Sequence, residues 1–348
     1  IKECDWSSDV CSSDLAGALS SPIAAPSSAL GGDDGGPDGL SSPAEYLPMA
    51  IRLSENFRAL FYAPFYAAEA TGAFREAGVE VALRGSTDPA AAQKALMAGE
   101  VDVMWGGPLR VINNHHADPK SPLVCFCDVV ARDPFFIVGR QPNPGFKFAD
   151  LRMLKFAVVS EVPTPWICLA NDIRKAGVAP DGLQRTYDKT MAENEAALRA
   201  GAFDAIQVFQ PFAERLVRSG AGHIWYAAAN RGLTAYTTLV TKRDILKSHH
   251  DDLLKMTRAV HKTLGWFGKT KAAEIARLLH PYFPDVPEEL FAQCIERYRA
   301  LKLWNDNPVI QRDGYDRLHA AMRAAGTIVR DIPFESCVDT TLAEEAMK

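Results

Sequence analysis

Hydroxyls, amides and aromatic rings gather in this 348-residue sequence at points where a short apolar run gives way to a turn. Ser54, Asn56 and Phe57 follow one such run, and Tyr62 opens the helix beyond it. Ser86 sits in a second turn, Gly85-Ser86-Thr87-Asp88. Trp105, Gly106 and Gly107 end a third run ahead of Pro108. Ser160, Glu161, Thr164 and Trp166 bracket two prolines at the start of another helix. None of this is nucleophile or metal chemistry. Glycines let a bound molecule approach the backbone, an indole offers a flat apolar face, and the free N–H groups of a helix start favour an anionic or carbonyl edge. Phe209, Gln210 and Tyr236 belong to the same set, as does Arg132 beside Asp133.

Each feature also has a purely structural reading. Ser54 and Asn56 can cap the following helix, and Asp88 before Pro89 is a helix start. Trp105 can be packing between lobes, and Arg132 with Asp133 can form an ion pair bracing a junction. Cys125 and Cys127, two apart on an expected strand, would share a face. A metal site usually needs four ligands at recognisable spacing, and His115 and His116 are adjacent in sequence, so the two thiols read as core residues. No G-x-S-x-G elbow, phosphate-binding P-loop or H-E-x-x-H motif occurs.

Positioning these turns requires a repeated α/β framework. The pattern A-L-x-A-G-x-x-D occurs at Ala95–Asp102 and again at Ala197–Asp204, each time followed by an apolar strand that ends at a proline. The glycine suits the left-handed position past a helix C-terminus. Alternating strand and helix patterns predict a first lobe over residues 48–140 and a second over 141–233, the chain leaving the first through the Pro/Gly-rich loop 141–148. A return strand, Tyr236–Thr241, and amphipathic helices over 234–348 complete lobe one. The class is α/β, with a mainly parallel sheet in each lobe.

Composition narrows the partners. With 43 acidic and 38 basic residues, a net charge of −5 and 47% hydrophobic residues, the chain carries no basic footprint for nucleic acid, and no run approaches a membrane span. No direct membrane insertion is expected. A small molecule is the expected ligand. Residues 4–15 resemble translated sequencing adapter and are read as non-biological, and residues 1–47 read as a disordered leader. Setting Cys4 and Cys11 aside leaves five scattered cysteines, which do not form a disulfide framework.

The opening IRLSENFRALFYAPFYAAEATGAFREAGVEVAL, the segment AAQKALMAGEVDVMWGGP and the turn VSEVPTPW together resemble the periplasmic substrate-binding proteins of sulfonate, nitrate and thiamine-precursor importers, the SsuA/THI5 family named for NMT1 and THI5. The resemblance runs from about Ile51 to about Leu303. It implies a type II periplasmic-binding-protein fold, two lobes on two hinge strands, closing on a small organic ligand. It also implies an ABC permease and ATPase as partners, a periplasmic location and no cofactor. The competing readings are a relative of the thiamine-pyrimidine synthases and a cytoplasmic ligand sensor. The synthases carry a cysteine-rich motif on the returning strand, whereas Gly232–Tyr236 has no cysteine.

Overall fold

A computed structural model describes residues 50–86 and 89–348. The leader reading for 1–47, the adapter-like stretch, and the Asp88 cap lie outside the described residues.

Two five-stranded sheets carry the two lobes. The first contains β1 (Ile51–Ser54), β2 (Val81–Arg84), β3 (Val103–Gly106) and β4 (Leu123–Val130); the second contains β5 (Phe136–Gly139), β6 (Phe156–Ala157), β7 (Arg185–Thr186), β8 (Ala205–Val208) and β9 (His223–Ala227). The returning β10 (Thr237–Lys242) rejoins the first sheet, giving the orders β2-β1-β3-β10-β4 and β7-β6-β8-β5-β9. In each sheet four strands run one way and the strand that arrives from the other lobe, β10 or β5, runs against both neighbours.

The repeated motif does the same work twice. Gly99 and Gly201 adopt φ of 76° and 77°, so each ends its helix in the left-handed conformation that glycine tolerates best. Asp102 then accepts from the Arg52 backbone N–H at 2.9 Å, and Asp204 accepts from that of Lys155 at 2.9 Å. Their own N–H groups donate back to the Arg52 and Lys155 carbonyls, each at 2.9 Å. The aspartate of each repeat thus clamps the start of the neighbouring parallel strand, β1 in the first lobe and β6 in the second. Arg52 adds its guanidinium to Asp102, with Nη2 at 2.6 Å.

Two expectations are corrected by the sheets. The sequence pattern places Phe135–Val138 in lobe one, but β5 pairs with β8 and β9, so the chain crosses between Val130 and Phe136, before the 141–148 loop. Its wholly apolar sequence could not reveal which sheet it joins. Cys125 and Cys127 do not share a face. Val240 pairs with Cys125 and Leu239 with Cys127, so Phe126 is an extra residue in a β-bulge. The two thiols are both buried, Cys125 in one core cluster and Cys127 in the other.

The C-terminal helices cover lobe one, with His250–Lys269 burying Leu253, Met256, Val260 and Leu264. Helix Glu288–Ala300 also touches lobe two: Arg297 Nε donates to Glu214 at 2.5 Å, and the Gln210 N–H donates to the Tyr298 hydroxyl at 3.0 Å. Among the described residues no helix is long and apolar enough to cross a membrane.

Gly139 gives a sharp packing test. A Cβ there would lie 1.8 Å from the Trp225 ring, whereas one at Gly145 would meet nothing within 4 Å. Gly139→Ala is expected to destabilise by about 1–3 kcal/mol through overpacking, while Gly145→Ala leaves the urea midpoint nearly unchanged; equilibrium denaturation of both variants checks the contrast.

Candidate functional site

The two lobes meet near the ends of β1 and β3 and the start of β10 in the first sheet. Two chain segments join them there, Ala131–Phe135 outward and Ala228–Tyr236 back, lying side by side through Thr234 N–H to Ala131 O at 2.8 Å and Ala228 N–H to Phe135 O at 2.9 Å. Arg231 locks the pair. Its guanidinium, 5% exposed, binds Asp133 at 2.6 Å on the outward segment and Asp172 at 2.6 Å on the lobe-two helix Thr164–Lys175. Tyr226 donates to the same Asp172 at 3.0 Å. Burial pushes the Asp133 carboxyl up, against the opposing pull of Arg231. The Arg132–Asp133 pair considered from sequence does not form: Arg132 donates instead to the Ala229 carbonyl at 3.2 Å, and the long-range partner Arg231 takes Asp133.

An aromatic seam fills the junction. Phe209 of lobe two stands 6.5 Å from Phe57, 5.3 Å from Phe61 and 5.2 Å from Phe135, ring centre to ring centre. Tyr236 closes on Phe61 at 6.1 Å. Behind the seam, buried polar atoms gather around Tyr62. Asn56 Nδ2 donates to its hydroxyl at 3.1 Å, leaving Asn56 Oδ1 without a partner. Thr237 Oγ1 lies beside that hydroxyl but outside hydrogen-bond geometry. The Trp105 ring is 5.9 Å from that of Tyr62, and its Nε1–H donates to nothing. Three buried polar atoms left unpaired in one place is costly unless something else satisfies them.

Two helix starts come close to each other beside this cluster. Helix Pro108–Ala117 begins at Gly107 and helix Thr164–Lys175 at Pro163, neither with a side-chain cap. A Cβ at Gly107 would lie 3.4 Å from the Tyr236 carbonyl and 3.9 Å from Thr164 Oγ1, so glycine there permits the close approach of the lobes.

Other sequence candidates are placed differently. Trp105 is fully buried with one face stacked on Phe65 at 4.7 Å, so its ring is core and its N–H is what remains available. Gly106 packs beneath Met104. Ser54 donates to the Glu55 carbonyl at 3.0 Å. Ser160 donates to Lys189 O at 2.8 Å and Glu161 accepts from Met191 N–H at 2.8 Å, both serving lobe two's own loop. Gln210 is fully buried, its Oε1 accepting from Glu214 N–H at 2.9 Å. Trp166 turns away from lobe one: its neighbours Ile167 and Cys168 join the lobe-one core, while Trp166 packs against lobe two's own cluster under the guanidinium of Arg185.

Glu55 was missed from sequence. It is 3% exposed and accepts from Tyr66 at 2.6 Å, from Arg58 at 3.2 Å and from the Ser86 N–H at 3.2 Å, tying the second turn to the end of β1. Its only local signal is Arg58 three residues on. A hollow of about 800 Å³ lies elsewhere, between β5, β9 and the helices Ala272–Leu279 and Glu288–Ala300. Its lining is largely apolar, and Glu214 and Arg297 on it are already paired with each other. Among the described residues no cluster of three or more His, Cys, Asp or Glu could hold a metal ion.

The model of the NMT1-like family matches residues 57–280. The chain belongs to the NMT1-like family. It is 24% identical over 297 residues to the candidate binding protein YtlA of Bacillus subtilis (strain 168), covering 85% of this chain and 89% of that one. The Escherichia coli periplasmic aliphatic sulphonate binding protein SsuA superposes with a TM-score of 0.66 at 16% identity, over 82% of this chain and 95% of that one. The periplasmic nitrate-binding protein NrtA of Synechocystis PCC 6803 gives 0.63 at 12% identity, over 85% and 88%. The fold of this NMT1-like chain is therefore that of the periplasmic binding proteins.

Next to the hinge, Asp128 of β4 supplies a pH test. Burial pushes its carboxyl up to about 7, offset in part by Asn305, whose Nδ2 donates to Oδ2 at 3.0 Å. The folded state holds this proton between about pH 4 and 7 whereas the unfolded chain releases it, so stability falls as pH rises through that window, by on the order of 4 kcal/mol. Asp128→Asn is expected to be more stable than the parent at pH 8 and to flatten the pH dependence, as read by denaturation at pH 4.5, 6 and 8.

Proposed function

We propose that this chain is the solute-capturing receptor of an ABC-type importer, and that it holds a small organic molecule between its lobes. The observation that carries this reading is the unpaired set Asn56 Oδ1, Trp105 Nε1 and Thr237 Oγ1, buried beside aromatic rings contributed by both lobes and the hinge. A ring-sized solute with a polar rim satisfies those atoms while replacing ring contacts of the seam. The two uncapped helix starts at Gly107 and Thr164 favour an anionic or carbonyl-rich edge. Pyrimidines, thiamine precursors and aromatic carboxylic or sulfonic acids have this form, and the relatives named for aliphatic sulphonate and nitrate are consistent with an anionic component.

The mechanism needs no covalent step. An open form exposes both strand-end surfaces, the solute bridges them, and the closed form is what a membrane permease, driven by its ATPase, accepts from the periplasmic side. Binding energy is realised only when both lobes touch the solute, which couples capture to closure.

A thermal-shift screen against pyrimidines, flavins, aromatic acids and sulfonates tests the reading, because a solute that binds only the folded state raises the melting temperature. For any solute that does so, Asn56→Ala and Thr237→Val are each expected to weaken binding by about tenfold, the loss of one buried hydrogen bond of about 1.4 kcal/mol. No stabilising solute, or one bound equally well by both variants, overturns the assignment.

A further inference from the structure

Phe209, the ring that lobe two brings to the seam, meets Phe135 of the outward crossing edge to face at 5.2 Å. Neither ring carries a polar atom, and apolar contact is non-directional, so packing alone does not fix how the two sit. One hydroxyl supplies the direction. Tyr298, on the helix Glu288–Ala300, accepts from the Gln210 N–H at 3.0 Å and donates to the Pro134 carbonyl at 3.2 Å. Gln210 follows Phe209 and Pro134 precedes Phe135, so this oxygen holds the backbone next to each ring.

Tyr298 is itself immobilised. It is fully buried, with its ring stacked on Phe136 at 6.0 Å and set against Trp304 at 5.6 Å. Burial pushes its phenol well above the ordinary range, so the hydroxyl keeps the proton it donates to Pro134. The preceding residue grips the same turn from its other end. Arg297 donates to both Glu214 oxygens, at 2.5 and 3.1 Å, and the Glu214 N–H donates to Gln210 Oε1 at 2.9 Å. The backbone of Gln210 is thus held by Tyr298 and its side chain, through Glu214, by Arg297. A phenylalanine at 298 fills the same space but leaves a buried N–H and a buried carbonyl without this partner.

We propose that Tyr298 is a positioning residue of the solute site: without touching the solute, its hydroxyl sets Phe209 against Phe135 and so fixes the lobe-two wall that a bound molecule meets. The effect on binding rests on the receptor reading, whereas the hold on Phe209 does not.

The dipeptide Phe-Gln occurs once in the sequence, at Phe209-Gln210. Labelling phenylalanine carbonyls with ¹³C and glutamine nitrogens with ¹⁵N therefore gives a single carbonyl-to-amide correlation, reporting the Phe209 carbonyl and the Gln210 N–H together. Tyr298→Phe is expected to move this peak and to speed exchange of the Gln210 amide with solvent by at least about tenfold. Arg297→Lys, which keeps the charge but loses the two-point grip on Glu214, is expected to move the same peak, a second reading should loss of the buried hydroxyl prevent folding. Tyr315→Phe is the control. That phenol is also buried and donates to the Ile332 carbonyl at 2.8 Å, but it belongs to the other core cluster, and its loss is expected to leave the peak in place. Benzenesulfonate and benzoate are the solute probes, titrated calorimetrically; one that binds the parent is expected to bind Tyr298→Phe severalfold more weakly and Tyr315→Phe equally well. A peak unmoved by Tyr298→Phe, a peak moved as far by Tyr315→Phe, or a probe bound equally by the parent and Tyr298→Phe overturns the proposal. A parent that binds neither probe counts against the receptor reading, and the peak then decides the hold on Phe209.

Discussion

Arg231 is the constraint on which the two-lobe architecture depends. It carries a charge into the hinge, where water is excluded, and holds Asp133 from the outward crossing and Asp172 from lobe two in one network. A buried pair of this kind adds little net stability compared with apolar packing, but losing one partner strands the other as an uncompensated charge. Its value here is geometric. The outward segment, the return segment and the Thr164–Lys175 helix are tied to one another through Arg231, and Thr164 Oγ1 lies close to Gly107 of lobe one. On the far side of Arg231, Gly232 adopts φ of 101° beneath Arg317, a conformation that a side chain would strain.

The lobes are held by the same device used twice. Gly99 with Asp102, and Gly201 with Asp204, turn the chain out of a helix and fasten it to the neighbouring strand, β1 or β6. Sameness ends at the following strand ends. One runs into Trp105-Gly106-Gly107, with open backbone and a buried unpaired indole N–H; the other runs into Phe209-Gln210, whose amide is consumed by Glu214 and whose backbone is held by Tyr298. Lobe one therefore contributes the polar part of the seam, and lobe two contributes a ring and a helix start.

The legible parts of the chain were those decided by local physics. The strand and helix alternation, the return strand and the left-handed glycines depend on a few neighbouring residues, and the structure shows them where periodicity and turn chemistry place them. The sheet that receives Phe136–Gly139 is a tertiary choice, since an all-apolar run fits the centre of either sheet. The faces of Cys125 and Cys127 depend on a single extra residue in the ladder, Phe126, which alternation alone does not reveal. Arg231 and Asp133 are 98 positions apart, and nothing in either neighbourhood announces the other. Trp166 differs, because its direction was readable: Thr164, Ile167 and Cys168 form one helical stripe and Trp166 falls off it.

The central claim is that the seam between the lobes is a ligand clamp that closes by rotation about the crossing segments. Distance measurement by double electron–electron resonance tests it most directly, with spin labels at Met97→Cys on lobe one and Met153→Cys on lobe two, both exposed positions. Cys125, Cys127, Cys168, Cys294 and Cys337 are buried, and Cys4 and Cys11 are replaced by serine, so labelling is confined to the two sites. The account predicts a broad or longer distribution for the free chain that narrows to a single shorter distance when a stabilising solute is added. An identical distribution with and without such a solute would contradict it.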